Sequence, residues 1–325
     1  MTPAWPVAVL LAALAFLLCV DLTPVRHAAV VGLGGCAVRQ ITRLPPRVDV
    51  VALGSSRVRA GISPAVLTLA SGAELAVNMN LGRSGLSAMR SYVTLRDALE
   101  QGMRPRFVVF EIDLDALQRA DRPGPVRLPL HAGIMRWRDI DLLLQLHHDL
   151  PAIDRARLQL LGAAAKVRGA IIPVLGAAPV IGQLGDGALV VDCQAGLDAE
   201  QARQGAGELA ERRGLVPAAA REFSLAPPEA QERRQELFFI DRARELCHEH
   251  GIRLVVVRPG AAYEPALSPS ALAVVRALVP EFDEPPAEIV EATWSGFLDA
   301  YHMGPSARER YSAWLAGRLM QAIDR

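Results

Sequence analysis

The chain has 325 residues, enough for one large α/β domain or for a core domain with a sizeable insertion. Hydrophobic residues make up 51% of the chain, aromatic residues 5%, and the 35 basic residues balance the 35 acidic ones. Nucleic-acid binding depends on clustered positive charge, so this composition gives no reason to expect a nucleic-acid partner.

The chain begins with an apolar segment. Thr2–Val20 contains no charged side chain, and its apolar run is close to the shortest length that spans a membrane. No positive segment precedes the run and no good cleavage site follows it, which favours an uncleaved anchor over a signal peptide. Residues 1–24 are therefore predicted to form a transmembrane anchor or uncleaved signal, and residues 25–47 a linker. By the positive-inside rule, a group of arginines after the span favours a cytoplasmic body. These are Arg26, Arg39, Arg43 and Arg47.

From residue 48 onward, short β-branched runs alternate with helical patterns. This alternation predicts an α/β fold, in which helices cover both faces of a largely parallel central sheet. Strands are predicted at Val48–Leu53, Leu75–Asn80, Phe107–Ile112 and Ile252–Val257. Helices are predicted from Ser63-Pro64 onward and at 86–102, 229–250, 268–279 and 306–323.

The alternation breaks down in the middle of the domain that spans residues 48–325. Residues 116–228 contain helical patches at 140–150 and 153–167, then a Gly/Ala-rich stretch and a charged, proline-containing segment. They show no repeat and no catalytic motif. The sequence predicts a mostly helical insertion or lid.

A Gly54-Ser55-Ser56 turn follows the first predicted strand. Ligands of parallel sheets bind beyond the carboxyl ends of the strands, and such a turn exposes a hydroxyl there. It can also place the serine's own N–H where an oxyanion forms. Taken alone, the turn is more typical of serines that close a loop or cap a helix.

A second candidate motif, Asp299-Ala300-Tyr301-His302, lies near the other end of the chain. A carboxylate three residues before a histidine can hold the imidazole by its Nδ1–H. Nε2 is then left to accept a serine proton. The spacing is common by chance, so only its combination with the serine turn favours catalysis.

Four segments of the chain carry a family resemblance. They are residues 48–58 (VDVVALGSSRV), 78–87 (NMNLGRSGLS), 105–117 (PRFVVFEIDLDAL) and 297–319 (FLDAYHMGPSARERYSAWLAGRL). Through them the chain resembles the SGNH-hydrolase superfamily, and especially its membrane-anchored branch of DltD-type proteins and polysaccharide O-acetyltransferases. The resemblance implies a three-layer, SGNH/flavodoxin-like sandwich and leaves the central insertion unmatched.

The resemblance also implies roles for individual residues. Ser56, rather than Ser55, corresponds to the nucleophile, and Asp299 and His302 match the terminal Asp-x-x-His of the family. The N–H groups of Ser56 and Gly85 are expected to form the oxyanion hole, with Gly82 as the alternative to Gly85.

One family feature is absent from this chain. The third family block usually supplies an asparagine to the oxyanion hole, but the equivalent strand here ends in 111–115 (EIDLD). A carboxylate near an oxyanion is repulsive, so Asp113 and Asp115 cannot simply replace the amide. Asn80 is either a replacement donor or a turn residue. Loss of one donor slows such a site about 100-fold to 1000-fold.

Two arginines, Arg57 and Arg258, are expected to flank the site. Either they bind an anionic group of the substrate, or they make structural ion pairs; the sequence leaves both readings open. Other motifs rank lower. The G-x-G-x-x-A pattern at 32–37 lacks the acidic residue that dinucleotide binding requires. The Cys247–His250 run offers too few convergent ligands for a metal.

The sequence thus predicts a serine acyltransferase or esterase with no cofactor and no metal. Its expected substrate is an acylated small molecule, an envelope polysaccharide or another acylated polymer. The resemblance implies a single-pass protein of the inner membrane with a periplasmic body, against the arginine distribution, and a membrane-bound O-acyltransferase as partner. The alternative is a catalytically inactive envelope protein that serves as a binding or assembly module.

Overall fold

A five-stranded parallel sheet lies at the centre of the described chain. The computed structural model describes residues 48–82, 88–100, 102–118, 137–146, 223–228 and 230–323, with a few helical positions between 152 and 159. The strands are β1 (Val48–Leu53), β2 (Asn78–Asn80), β3 (Pro105–Glu111), β4 (Arg253–Val257) and β5 (Phe282–Asp283). Every pair runs parallel, in the order β2-β1-β3-β4-β5, so the predicted α/β fold with a parallel sheet is confirmed.

The strand order creates a switch point between β1 and β3. After β1 the chain forms β2 on one side and then crosses to form β3 on the other, where Leu53 pairs with Phe110. Connections leave the two strands in opposite directions at such a point, and a crevice opens beyond their carboxyl ends. The turn after Leu53 and the end of β3 at Glu111 therefore lie at the position where sheets of this order bind ligands.

Helices occupy the connections between the strands, and the helix after Ser63 begins with the predicted serine cap. Ser63 Oγ accepts the Val66 N–H, and Ser268 Oγ accepts the Ala271 N–H, so each serine caps the helix that follows it. Gly251 follows the helix that ends at Glu249 and has a φ of 65°. The helices are α1 (Ser56–Gly61), α2 (Pro64–Ala70), α3 (Ala88–Glu100), α4 (Leu114–Gln118), α5 (Trp137–Leu146), α6 (Gln231–Glu249), α7 (Pro269–Leu278), α8 (Ala287–Trp294) and α9 (Pro305–Ile323).

The core is built on the alternation of side chains along the strands. Val50 and Val109 belong to a buried cluster that also contains Tyr311, Leu315 and Leu319 of α9. Helices α3 and α6 contact each other and the strands β1, β3 and β4. Full burial of a Val, Leu or Phe side chain contributes about 1.5–3 kcal/mol, so docking of α9 on the sheet is a large part of the stability.

Strand β2 is shorter than the predicted Leu75–Asn80. The backbone N–H groups of Ala76 and Val77 donate to Asp49 Oδ2, at 2.9 and 3.0 Å. Because a side chain takes these donors, regular pairing with β1 begins only at Asn78. A local apolar pattern does not reveal such competition from a distant carboxylate.

The chain forms two compact units. The sheet lies in the unit of Arg39–Arg122 and Asp186–Arg325, and α5 lies in the unit of Met1–Val38 and Pro123–Gly185. The predicted anchor and linker (1–47) and most of the predicted insertion (116–228) fall outside the described residues. Within the described ranges, no helix combines the length and the apolar character that crossing a bilayer requires.

Candidate active site

Ser56 is the first residue of α1, directly beyond the end of β1. Ser55 is its N-cap, with an extended backbone (φ −75°, ψ −169°), and Ser55 Oγ accepts the Arg57 N–H at 3.1 Å. The N–H of a first helical residue has no acceptor within its own helix. The sheet edge and this short helix therefore present both the hydroxyl and the N–H of Ser56.

Asn80 holds the other end of α1. Its Nδ2 donates to the carbonyl oxygens of Val58 at 2.9 Å and Ile62 at 2.6 Å, and its Oδ1 accepts the Gly82 N–H at 2.9 Å. Both amide hydrogens are thus used on the helix carbonyls, which corrects the suggestion that Asn80 is an oxyanion donor. The Gly82 N–H is likewise engaged, so it does not replace Gly85. Gly85 itself lies outside the described residues.

Gly82 also lets the chain pass close to α1. A Cβ at this position would lie 2.5 Å from the backbone nitrogen of Arg59 and 2.9 Å from the carbonyl oxygen of Ser55. Both neighbours are backbone atoms that cannot move aside easily. The glycine of the second family-like segment therefore has a packing role.

His302 and Asp299 lie on a tight loop before α9. Leu298 N donates to His302 O at 2.8 Å, which closes the loop, and Phe297 and Met303 form an antiparallel bridge. Within it, Asp299 Oδ1 accepts the N–H groups of Tyr301 at 2.7 Å and His302 at 2.8 Å. One carboxylate oxygen therefore fixes the loop and leaves the other for the imidazole.

The three predicted catalytic side chains meet at the sheet edge. His302 Nε2 lies 2.7 Å from Ser56 Oγ, although 246 residues separate them in the sequence. His302 Nδ1 lies 2.6 Å from Asp299 Oδ2. The side chains of His302 and Asp299 are only 17% and 12% exposed, so the pair is screened from bulk water on most sides.

The surroundings of Asp299 favour its ionised form. Burial raises the pKa of this carboxyl, but hydrogen bonds from the His302 ring and from the backbone N–H groups of Tyr301 and His302 outweigh it and hold the pKa below its ordinary value. An ionised Asp299 accepts the Nδ1–H of His302. Nε2 is then the lone-pair nitrogen that faces the Ser56 hydroxyl.

The two flanking arginines have different surroundings. The Arg57 guanidinium lies 5.4 Å from the ring centre of Tyr301, beside the candidate triad, and forms no ion pair within the described part of the chain. Arg258 is only 4% exposed, and it contacts Glu264 at 2.7 Å as well as Glu284. Because two carboxylates neutralise this buried guanidinium, the contacts correspond to a structural ion pair, and the proposed substrate contact of Arg258 is corrected.

Glu111, at the end of β3, is a site residue that sequence reasoning missed. Its carboxylate accepts hydrogen bonds from both the N–H and the Oγ–H of Ser55. The only signal in the sequence is an acidic residue at the end of an otherwise apolar strand. Which residue it would hold depends on the strand order, which the sequence alone does not give.

The described residues contain no group of three or more His, Cys, Asp or Glu side chains placed to hold a metal ion. Cys247 is a buried free thiol, and burial raises its pKa to about 12, far from the range of reactive cysteines. The candidate nucleophile of the described site is thus Ser56. Comparison with known proteins gives no match to a family model and no match among curated proteins.

Proposed function

We propose that the protein is a serine acyltransferase or esterase of the SGNH type, with Ser56, His302 and Asp299 as its triad. The observation that carries this proposal is the pair of contacts on one imidazole, 2.7 Å to Ser56 Oγ and 2.6 Å to Asp299 Oδ2. The β2-β1-β3-β4-β5 order supports the three-layer, SGNH/flavodoxin-like sandwich that the sequence resemblance implies.

The proposed reaction needs only these side chains and two substrates. Ser56 Oγ attacks the carbonyl carbon of an acyl ester, and its proton passes to His302 Nε2. Asp299 stabilises the imidazolium. The bond from the acyl carbon to the leaving oxygen then breaks, and His302 returns the proton to that oxygen. Water, or a hydroxyl of an acceptor, gives its proton to His302 and attacks the acyl-Ser56 ester, which regenerates the Ser56 hydroxyl.

The tetrahedral intermediates of this reaction need donors for their oxyanion. The N–H of Ser56 at the start of α1 suits this role, and the family resemblance assigns a second donor to Gly85. With Asn80 engaged on the carbonyls of α1, no side-chain amide of the described residues is proposed for the hole. The site then operates with backbone donors, which predicts a slower acyl transfer than in relatives that retain the asparagine.

The proposed substrate is an acylated polysaccharide or another acylated polymer of the cell envelope. Arg57 stands beside the triad and is free to contact an anionic group on it, whereas Arg258 is engaged with Glu264 and Glu284. By resemblance alone, we place the body in the periplasm, anchored in the inner membrane through residues 1–24. A membrane-bound O-acyltransferase is the proposed acyl donor partner.

A fluorophosphonate probe tests the catalytic proposal. Its phosphorus is attacked by an activated serine, fluoride leaves, and the stable adduct is located by fragmenting the tryptic peptide 48–57, which contains both Ser55 and Ser56. Labelling is expected on Ser56 and absent in the Ser56→Ala variant. The Ser295→Ala variant, which changes an exposed serine at the end of α8, is expected to label like the wild type.

The alternative is a non-catalytic envelope protein that uses the same fold as a binding or assembly module. The engagement of the Asn80 amide with the carbonyl oxygens of Val58 and Ile62 and with the Gly82 N–H favours this alternative. A folded wild-type protein that does not react with the probe over many hours would favour the binding module and reject the enzyme.

A further inference from the structure

A bidentate contact joins Glu111 to the residue before the candidate nucleophile. Glu111 Oε1 accepts the Ser55 Oγ–H at 2.9 Å, and Oε2 accepts the Ser55 N–H. Glu111 is the last residue of β3, and Ser55 lies in the turn after the neighbouring strand β1, which pairs with β3 up to Leu53 and Phe110. Strand pairing therefore places the carboxylate directly against the turn that carries Ser56.

The Ser55 hydroxyl links this carboxylate to the start of α1. While it donates to Glu111, the same oxygen accepts the Arg57 N–H at 3.1 Å as the helix N-cap. The backbone of Ser55 is thus fixed on both sides, by Glu111 before the helix and by the cap within it. The next peptide bond carries the Ser56 N–H, so its direction is fixed by the same contacts.

Gly54 leaves the space that this arrangement needs. A Cβ at Gly54 would lie 2.4 Å from Glu111 Oε2 and 2.6 Å from Glu111 Cβ, far inside van der Waals contact. A larger residue there would displace the carboxylate. The three residues of the turn thus have different roles. Gly54 leaves space for the Glu111 side chain, Ser55 forms the hydrogen bonds to Glu111, and Ser56 contacts His302.

We infer that Glu111 is a positioning residue, which acts through Ser55 to hold the Ser56 hydroxyl and N–H in their reactive geometry. This inference rests on the proposed function, because it assigns Glu111 a role in that same site. Reaction at Ser56 requires alignment with both His302 and the oxyanion donors, and a misplacement of about 1 Å lowers such rates on the order of 100-fold. Both side-chain oxygens of Glu111 are engaged by Ser55, so Glu111 is assigned no role as an oxyanion donor.

The test compares Glu111→Gln, Ser55→Ala and their double variant in the full chain. We measure the second-order rate of fluorophosphonate labelling, kcat and KM for p-nitrophenyl acetate, and amide hydrogen exchange in the peptide that contains 54–58. Each single variant is expected to lower the labelling rate about 10-fold to 100-fold, mainly in kcat, and to speed exchange in this peptide. The double variant is expected to lose much less than the product of the two single losses, because both single variants disturb the same contact between Ser55 Oγ and the Glu111 side chain.

Asp113→Asn is the matched control, because it removes an acidic charge at the same sheet edge without touching Ser55; its labelling rate is expected to stay within threefold of wild type. Thermal unfolding identifies any variant that fails to fold, and Ser55→Ala then carries the test in place of Glu111→Gln. If the wild type labels, two outcomes would overturn this inference and leave the proposed function intact. One is a Glu111→Gln labelling rate within threefold of the wild-type rate. The other is a loss in the double variant that equals the product of the two single losses. A wild type that does not label overturns the proposed function, and the positioning role with it.

Discussion

Asp299 and Ser56 contact opposite nitrogens of one imidazole ring. Asp299 Oδ2 lies 2.6 Å from Nδ1 of His302, and Ser56 Oγ lies 2.7 Å from Nε2. The aspartate therefore decides which nitrogen of His302 carries the proton, and so whether Ser56 faces a base.

Replacement of Asp299 by asparagine tests this relationship. The amide can donate to Nδ1, which moves the ring proton to Nε2 and removes the base that Ser56 needs. We expect the fluorophosphonate labelling rate to fall about 1000-fold to 10,000-fold, with little change in the melting temperature. Asp241→Asn, on the exposed face of α6, is the control and should label normally. A labelling rate within tenfold of wild type in Asp299→Asn would reject the triad.

Arg57 is expected to select anionic substrates. Loss of a charge-assisted contact weakens binding by about 1.5–3 kcal/mol, so Arg57→Gln should raise KM about tenfold or more for an ester with a negative charge near its acyl group. KM for p-nitrophenyl acetate should hardly change. Arg242→Gln is the matched control, because Arg242 also stacks on an aromatic ring, Phe238, at 5.3 Å. Equal changes of KM for both esters would remove Arg57 as a selectivity residue.

Asn80 is expected to matter for stability rather than for the oxyanion. Replacement by alanine removes the Nδ2 donor of the Val58 and Ile62 carbonyl oxygens and the Oδ1 acceptor of the Gly82 N–H, which should lower the free energy of unfolding by about 1–3 kcal/mol. Denaturant unfolding measures this loss. The opposite pattern, with unchanged stability and a labelling rate about 100-fold lower, would instead identify Asn80 as an oxyanion donor.

Glu236 of α6 is expected to make stability depend on pH. It is 5% exposed, and its Oε1 accepts the Asp113 N–H at 2.8 Å. Burial, reinforced by the charges of Asp113 and Glu111, raises the pKa of Glu236 to about 8 from its ordinary value of 4.5. Between about pH 4.5 and pH 8, the folded state therefore keeps a proton on Glu236 that the unfolded chain releases.

The sign of the effect follows from that proton. The proton on Glu236 contributes fully to the free energy of unfolding below about pH 4.5, and this contribution is lost as the pH rises through about 8. The free energy of unfolding falls by no more than about 1.4 kcal/mol per pH unit in this range. Denaturant unfolding at several pH values should show this slope in the wild type and a much smaller one in Glu236→Gln. Glu249→Gln, at the exposed end of the same helix, should keep the wild-type slope. The same slope in Glu236→Gln as in the wild type would contradict the assignment.

Local sequence patterns predicted the larger elements well. The bounds of β1 and the start of α2 after Ser63 follow from neighbouring residues, and the structure has them as expected. The pairing of the two distant motifs was also correct at the level of contact. Helix α1 was not predicted, since six residues show too little periodicity.

Three side chains whose roles the sequence left open or missed share one physical cause. The roles of Asn80, Arg258 and Glu111 depend on partners that other segments bring to them, respectively α1 and its C-cap, the loops after β4 and β5, and the turn after β1. Their residue types are compatible with a catalytic or a structural role. Only the strand order and the loop paths decide which donors and charges they meet.

The long separation between Ser56 and His302 has a consequence for biosynthesis. Translation delivers the nucleophile 246 residues before its base, and the loop of His302 leads directly into α9, which packs against α1 and α2. A nascent chain therefore carries an ordinary, unactivated serine until this last helix docks.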